Sequence, residues 1–166
     1  SYDRVKSWSV GKSYASTVVG LAIDRGDISS VDETLAEYIP ELATDPKGTI
    51  PIHNMLAMTA GVRLDLVEDN LIMAHAKDMT ERALENPMVT HPGARWEYNN
   101  HTVQLSEPLV RYASGMAPHE LAEEALWGPL GMDARWEQDD HGHTAMFMNV
   151  RASCRDHARF AYLFLR

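Results

Sequence analysis

Cysteine occurs once, at Cys154, so no disulfide can form within the chain and cysteine usage says nothing of a redox compartment. Long apolar runs are lacking as well. The longest, residues 18–23, falls far short of the roughly 20 residues that a membrane-spanning helix needs. Positive charge is scarce: 15 Lys and Arg stand against 24 Asp and Glu, a formal net charge of −9 with no basic run, which argues against nucleic acid as a partner. The opening residues Ser1-Tyr2-Asp3-Arg4 lack the basic-apolar-small order of a signal peptide, which leaves a cytoplasmic chain as the default expectation. Repeats and Ser/Gly linkers are missing. Strand signals are few, residues 144–150 being the one plausible strand, and one strand cannot make a sheet.

What remains is a helical, globular pattern. Hydrophobic residues make up 45% and charged residues 23% of 166 positions, enough to bury a core without disulfide support. Residues 9–24 are apolar almost all round and stop at Gly26, as a buried helix does. Ser30 and Glu33 have capping-box spacing and open a short helix that ends near Pro40. Helical patterns follow over 51–58, 66–84, 101–113 and 118–127, punctuated by Gly61, Gly115 and Gly128-Pro129. Ser153 and Asp156 repeat the cap spacing before a last helix. The expectation is a mainly α chain, residues 1–166 forming a single helical domain.

Ser9-Val10-Gly11-Lys12 opens the first helix, and residues three apart share a helix face. A serine hydroxyl is a weak nucleophile until a base takes its proton, and a desolvated lysine amine can be that base. The partial positive charge of a helix N-terminus would favour an oxyanion formed at Ser9. A helix-capping serine gives the same spacing, so the Ser9–Lys12 pair alone leaves both readings open. A phosphate loop is excluded, because Lys6 stands where that motif requires its first glycine. Ninety residues later Tyr98-Asn99-Asn100 lies at a loop-to-helix junction. A phenol near a lysine ammonium can shuttle a proton to a leaving group. An asparagine two residues on can hold Lys12 and a substrate amide together.

These segments together resemble the serine β-lactamase-related hydrolases: class C β-lactamases, D-alanyl-D-alanine carboxypeptidases, esterases of the same fold and 6-aminohexanoate-dimer hydrolases. The likeness runs from the Ser9–Gly26 segment through Val31-Asp-Glu-Thr-Leu, Tyr38-Ile-Pro-Glu-Leu42, Ile52-His-Asn-Met-Leu-Ala-Met-Thr-Ala-Gly61, Pro92-Gly93 and Tyr98-Asn-Asn100 to Trp127-Gly-Pro-Leu-Gly-Met132 and Arg155-Asp-His-Ala-Arg-Phe160. The resemblance implies an acylated Ser9, Lys12 as its general base, and Tyr98 and Asn100 as the second motif, with no cofactor. It also implies what is missing. Family members are about twice as long and carry a strand with a Lys/His-Thr/Ser-Gly motif, and no such triplet occurs here. The fold expected is therefore the helical portion of the β-lactamase/transpeptidase-like fold, lacking most of its β-sheet. Small esters are the expected substrates, with amides second, because esters need least of the absent strand; β-lactam turnover is not expected. Losing the sheet should bare Val18, Leu21, Phe160 and Phe164, and a homodimer covering that face is expected.

Histidine is abundant, eight residues in all: His53, His75, His91, His101, His119, His141, His143 and His157. His141 and His143, two apart beside Asp139 and Asp140, could share a Zn²⁺ or similar ion, with His157 or a partner chain's histidine as third ligand. Bound water would then attack an ester or phosphoester. The alternatives to a serine hydrolase are thus a metal-dependent hydrolase on the same scaffold and a non-catalytic helical fragment.

Overall fold

The computed structural model describes residues 3–165. Strand β1 (Val5–Lys6) leads through a 3₁₀ turn, Trp8–Val10, into helix α1 (Gly11–Asp24). Short helices follow: α2 (Ile52–Leu56), α3 (Met79–Glu85), α4 (Asn100–Gln104), α5 (Ser106–Ser114), α6 (Pro118–Ala122) and α7 (Gly128–Leu130). Strands β2 (Ala134–Trp136) and β3 (Val150–Ala152) precede the last helix, α8 (Cys154–Tyr162). No helix among the described residues is long and apolar enough to cross a membrane.

α1 lies at the centre because it presents apolar side chains on most of its circumference. Tyr14, Ala15, Val18, Val19 and Ala22 are all buried in one core with Leu105, Leu109 and Leu126. Tyr14 stacks on Phe160 of α8 with ring centroids 3.8 Å apart and meets the edge of Trp136 at 6.3 Å. Its hydroxyl is hydrogen-bonded to His157 Nδ1 at 2.8 Å. Burial pushes the Tyr14 phenol well above its ordinary pKa, keeping it neutral.

Helix predominates as the sequence predicts, but several boundaries differ. A sheet exists: β3 pairs antiparallel with β1 on one side and β2 on the other, in the order β1-β3-β2. Its strands are two or three residues long, too short to show alternation. The strand expected over 144–150 begins only at Val150, because a glutamine holds the preceding residues as a loop. Gln104 Nε2 donates to the Thr144 carbonyl at 2.9 Å, and its Oε1 accepts from Met146 N at 3.0 Å. The helix expected over 66–84 is broken into a π-helical turn Glu68–Ile72, a 3₁₀ turn Met73–His75 and α3. Asp78 cuts in as the cap of α3, accepting from Glu81 N at 2.7 Å.

Ser30 does not cap a helix. Glu33 accepts instead from Ser29 N at 3.1 Å, and the box forms one turn later, where Glu37 accepts from Thr34 N at 2.9 Å. Ser153 does cap α8, accepting from Asp156 N. The bared apolar face is smaller than expected. Val18 and Phe160 are buried by α5, α6 and Tyr14, Leu21 is half-buried, and only Phe164 of the four is exposed.

Candidate active site

The Ser9 turn hangs from the sheet. Ser7 N donates to the Val150 carbonyl at 2.9 Å, Val150 N donates to Ser7 Oγ at 3.0 Å, and Asn149 N donates to the Trp8 carbonyl at 3.1 Å. Trp8 pays for this with a left-handed backbone, φ +48°, which an L side chain adopts only when its surroundings hold it there. Ser9 is left exposed, just before the start of α1.

Lys12 is in the first turn of α1 and points at Ser9. Its Nζ donates to Asn100 Oδ1 at 2.6 Å and to the Phe147 carbonyl at 2.9 Å, with a longer contact of 3.4 Å to Ser9 Oγ. It also lies 4.7 Å from the centroid of the Tyr98 ring. Burial pulls the Lys12 amine below the ordinary lysine pKa; the Tyr98 phenol and the Asp69 carboxylate pull the other way without cancelling it. An amine so placed is more readily neutral, and a neutral amine beside a hydroxyl can accept its proton.

Two pieces of local structure aim the partners. Asn99, between Tyr98 and Asn100, caps α4: its Oδ1 accepts from Thr102 N at 2.9 Å, and its Nδ2 donates to the Val62 and Arg63 carbonyls. That fixes Asn100 at the first position of α4 and leaves Tyr98 on the exposed side. The Phe147 carbonyl is brought in by a tight crossing at Gly11, where an added Cβ would lie 2.7 Å from the Met148 main chain. Trp136 Nε1 donates to the Ala145 and Met148 carbonyls, both at 2.9 Å, and pins the same loop from below.

Three of the four residues singled out in the sequence, Ser9, Tyr98 and Asn100, thus lie around the amine of the fourth, Lys12. Two more components of the cluster, the Phe147 carbonyl and Asp69, carry no sequence signal. Every residue has a carbonyl, and Asp69 is one carboxylate within an acidic, helix-like stretch.

The histidines are dispersed. His141 and His143 stack with ring centroids 6.3 Å apart, and each approaches Asp78. Ligand atoms of Asp78, Asp139 and His143 come within 4.8 Å of one another. His157 is not with them: its Nδ1 is taken by Tyr14, on the face of α8 that packs against α1. The expected trio of His141, His143 and His157 is therefore not assembled. Both carboxylates near His143 are already engaged by main-chain N–H groups. Asp78 caps α3, and Asp139 accepts from Met79, His141 and His143 at 2.8 to 2.9 Å. Elsewhere His53 faces Asp32, His75 the Leu71 carbonyl, and His119 Thr144.

Nothing among curated proteins matches the chain. Solved structures match it over almost its whole length. A protein assigned as a 6-aminohexanoate-dimer hydrolase, from Bacillus anthracis, is 20% identical with a TM-score of 0.83, the match covering 98% of this chain and 47% of that one. One assigned as a β-lactamase, from Bacteroides dorei DSM 17855, is 26% identical with a TM-score of 0.79, covering 98% and 51%. A penicillin-binding protein from Bacillus halodurans is 18% identical with a TM-score of 0.78, covering 99% and 61%. The chain spans about half the length of the structures it matches. The family model described as Beta-lactamase matches residues 3–164, and with that span and the shared fold the chain belongs to the β-lactamase family.

Proposed function

We propose that this chain is a serine hydrolase acting through an acyl-Ser9 intermediate. The observation that carries the reading is the half-buried Lys12 amine, held by Asn100 Oδ1 and the Phe147 carbonyl with Ser9 Oγ as its third neighbour. Neutral Lys12 takes the Ser9 proton as Oγ bonds to the substrate's carbonyl carbon. The ammonium so formed is stabilised by the two oxygens that hold it. The tetrahedral intermediate then collapses, the bond to the leaving oxygen breaks, and the proton passes to that oxygen from Lys12 through the Tyr98 hydroxyl. Water attacks the acyl-enzyme by the same route in reverse, releasing the acid and free Ser9.

Small esters are the proposed substrates and amides the second class. An alkoxide or phenolate leaves with modest proton assistance, whereas an amine must be protonated as it departs. Association of two copies belongs to the same proposal. A groove of about 440 Å³ between α1 and α8 is lined by Val10, Tyr14, Phe160 and Phe164, and Trp8, two residues before Val10, is exposed. A second copy is its proposed occupant, because the exposed Phe164 and Trp8 leave apolar surface of the kind that forms an interface.

The test is hydrolysis of p-nitrophenyl acetate by the wild type and Ser9→Ala, each with and without chelator. Ser9→Ala is expected to lose at least about 10³-fold in rate, and chelator to change neither protein. Activity that survives in Ser9→Ala and vanishes with chelator would hand the chemistry to a metal. An inactive wild type would leave a helical module without catalysis.

A further inference from the structure

Behind Asn100 lies a carboxylate that the reaction just described does not use. Asp69 sits in the π-helical turn Glu68–Ile72, a type of distortion often found at functional positions, and its side chain is 1% exposed. Its Oδ1 accepts three hydrogen bonds: from Asn100 N at 2.7 Å, from His101 N at 3.2 Å and from His101 Nδ1 at 3.0 Å. Its main-chain carbonyl accepts from Asn100 Nδ2 at 2.9 Å. Its Oδ2 is buried with no hydrogen-bond partner.

Two consequences follow. The Asn100 amide can sit only one way round. Its NH₂ end is spent on a carbonyl, so the oxygen end is the one that meets the Lys12 amine at 2.6 Å. A negative charge also stands one side chain behind the amine, its ion-pair partner among the described residues being the His101 imidazole. The neighbouring Glu68 is occupied by Arg82 of α3. The other groups facing Lys12 are the Tyr98 phenol and the Ser9 hydroxyl, both uncharged in their ordinary state.

We propose that Asp69 is a positioning residue for the Ser9–Lys12 reaction: it locks the Asn100 amide with its oxygen on the Lys12 amine and keeps a buried negative charge behind that amide. The inference rests on the acyl-serine reading. Asp69 touches neither nucleophile nor substrate and acts only through Asn100 and through its field. Its charge favours the ammonium form of Lys12 and opposes the effect of burial. The carboxylate therefore moderates the base, leaving it strong enough to hold the Ser9 proton.

The test is Asp69→Asn, which retains an oxygen acceptor and the main-chain carbonyl but removes the charge. Competitive labelling of the Lys12 amine with acetic anhydride across pH, read by mass spectrometry, reports its ionisation without any catalysis. The Lys12 midpoint is expected to fall to lower pH, and the acid limb of kcat for p-nitrophenyl acetate to fall with it, while KM stays within about twofold. Asp69→Ala, which also frees the Asn100 and His101 N–H groups, should add a kcat loss of about 10- to 100-fold.

An unmoved Lys12 midpoint in a folded Asp69→Asn protein would overturn the inference. Should that variant melt, Asp69→Ser carries the same measurement with a hydroxyl acceptor in less volume. Melting of both at 25 °C would make Asp69 a residue of the fold and overturn the inference equally. The acyl-serine reading fails separately: a wild type whose Ser9 is not labelled by a fluorophosphonate sinks that reading whatever Asp69 does to Lys12.

Discussion

Gly11→Ala puts the site's assembly to a quantitative test. A Cβ at position 11 would lie 2.7 Å from the Met148 main chain, and ordinary contact begins at 3.4 Å, so α1 and the 145–148 loop must part by about 0.7 Å. Overpacking of this kind costs about 1–3 kcal/mol, against which alanine in a helix regains up to about 1 kcal/mol over glycine. The net loss of about 1–2 kcal/mol should lower the melting temperature by about 2–8 °C for a chain of this size.

The same shift carries the Phe147 carbonyl away from Lys12. A bond of 2.9 Å stretched by that amount passes beyond useful hydrogen-bond length. The rate on p-nitrophenyl acetate should therefore fall by about 10- to 100-fold. Gly20→Ala is the control: it lies in the same helix with nothing within 4 Å of its added Cβ, and should raise the melting temperature without touching the rate. Differential scanning fluorimetry and ester hydrolysis on both variants decide it. A Gly11→Ala protein that melts and turns over like Gly20→Ala would refute the claim that this crossing sets the loop.

Two further outcomes are expected. Burial disfavours the Lys12 ammonium, so the neutral base accumulates at lower pH than in a free lysine; ester cleavage should rise with pH to a midpoint below 10.5, and a midpoint at or above that value would contradict the geometry. Light scattering over a dilution series should give a dimer that dissociates to monomer, and Phe164→Asp should shift it to monomer throughout; a wild type monomeric at every concentration rules out the proposed association.

The parts of the site legible in the sequence are those whose spacing is itself the geometry. Ser9 and Lys12 meet because three residues span one helical turn, and Tyr98 and Asn100 flank a helix cap that Asn99 makes. The strands were hidden for a plain reason: segments of two or three residues such as Val5–Lys6 are too short for alternation to show. The broken helix after residue 66 was hidden because apolar spacing cannot distinguish an α-turn from the π-turn that turns Asp69 inward. His157 misled because its partner, Tyr14, lies 143 positions away. Contacts over such separations leave no trace in local pattern.

The pairing of Val5 with Ala152 and Lys6 with Arg151 has a kinetic consequence. It joins positions almost a whole chain apart, and closing so large a loop costs entropy that only an otherwise finished core can repay. Ser9 should therefore be among the last groups to reach its working place. A half-folded copy would carry its nucleophile on a loose, unaligned end and remain chemically idle until the sheet closes.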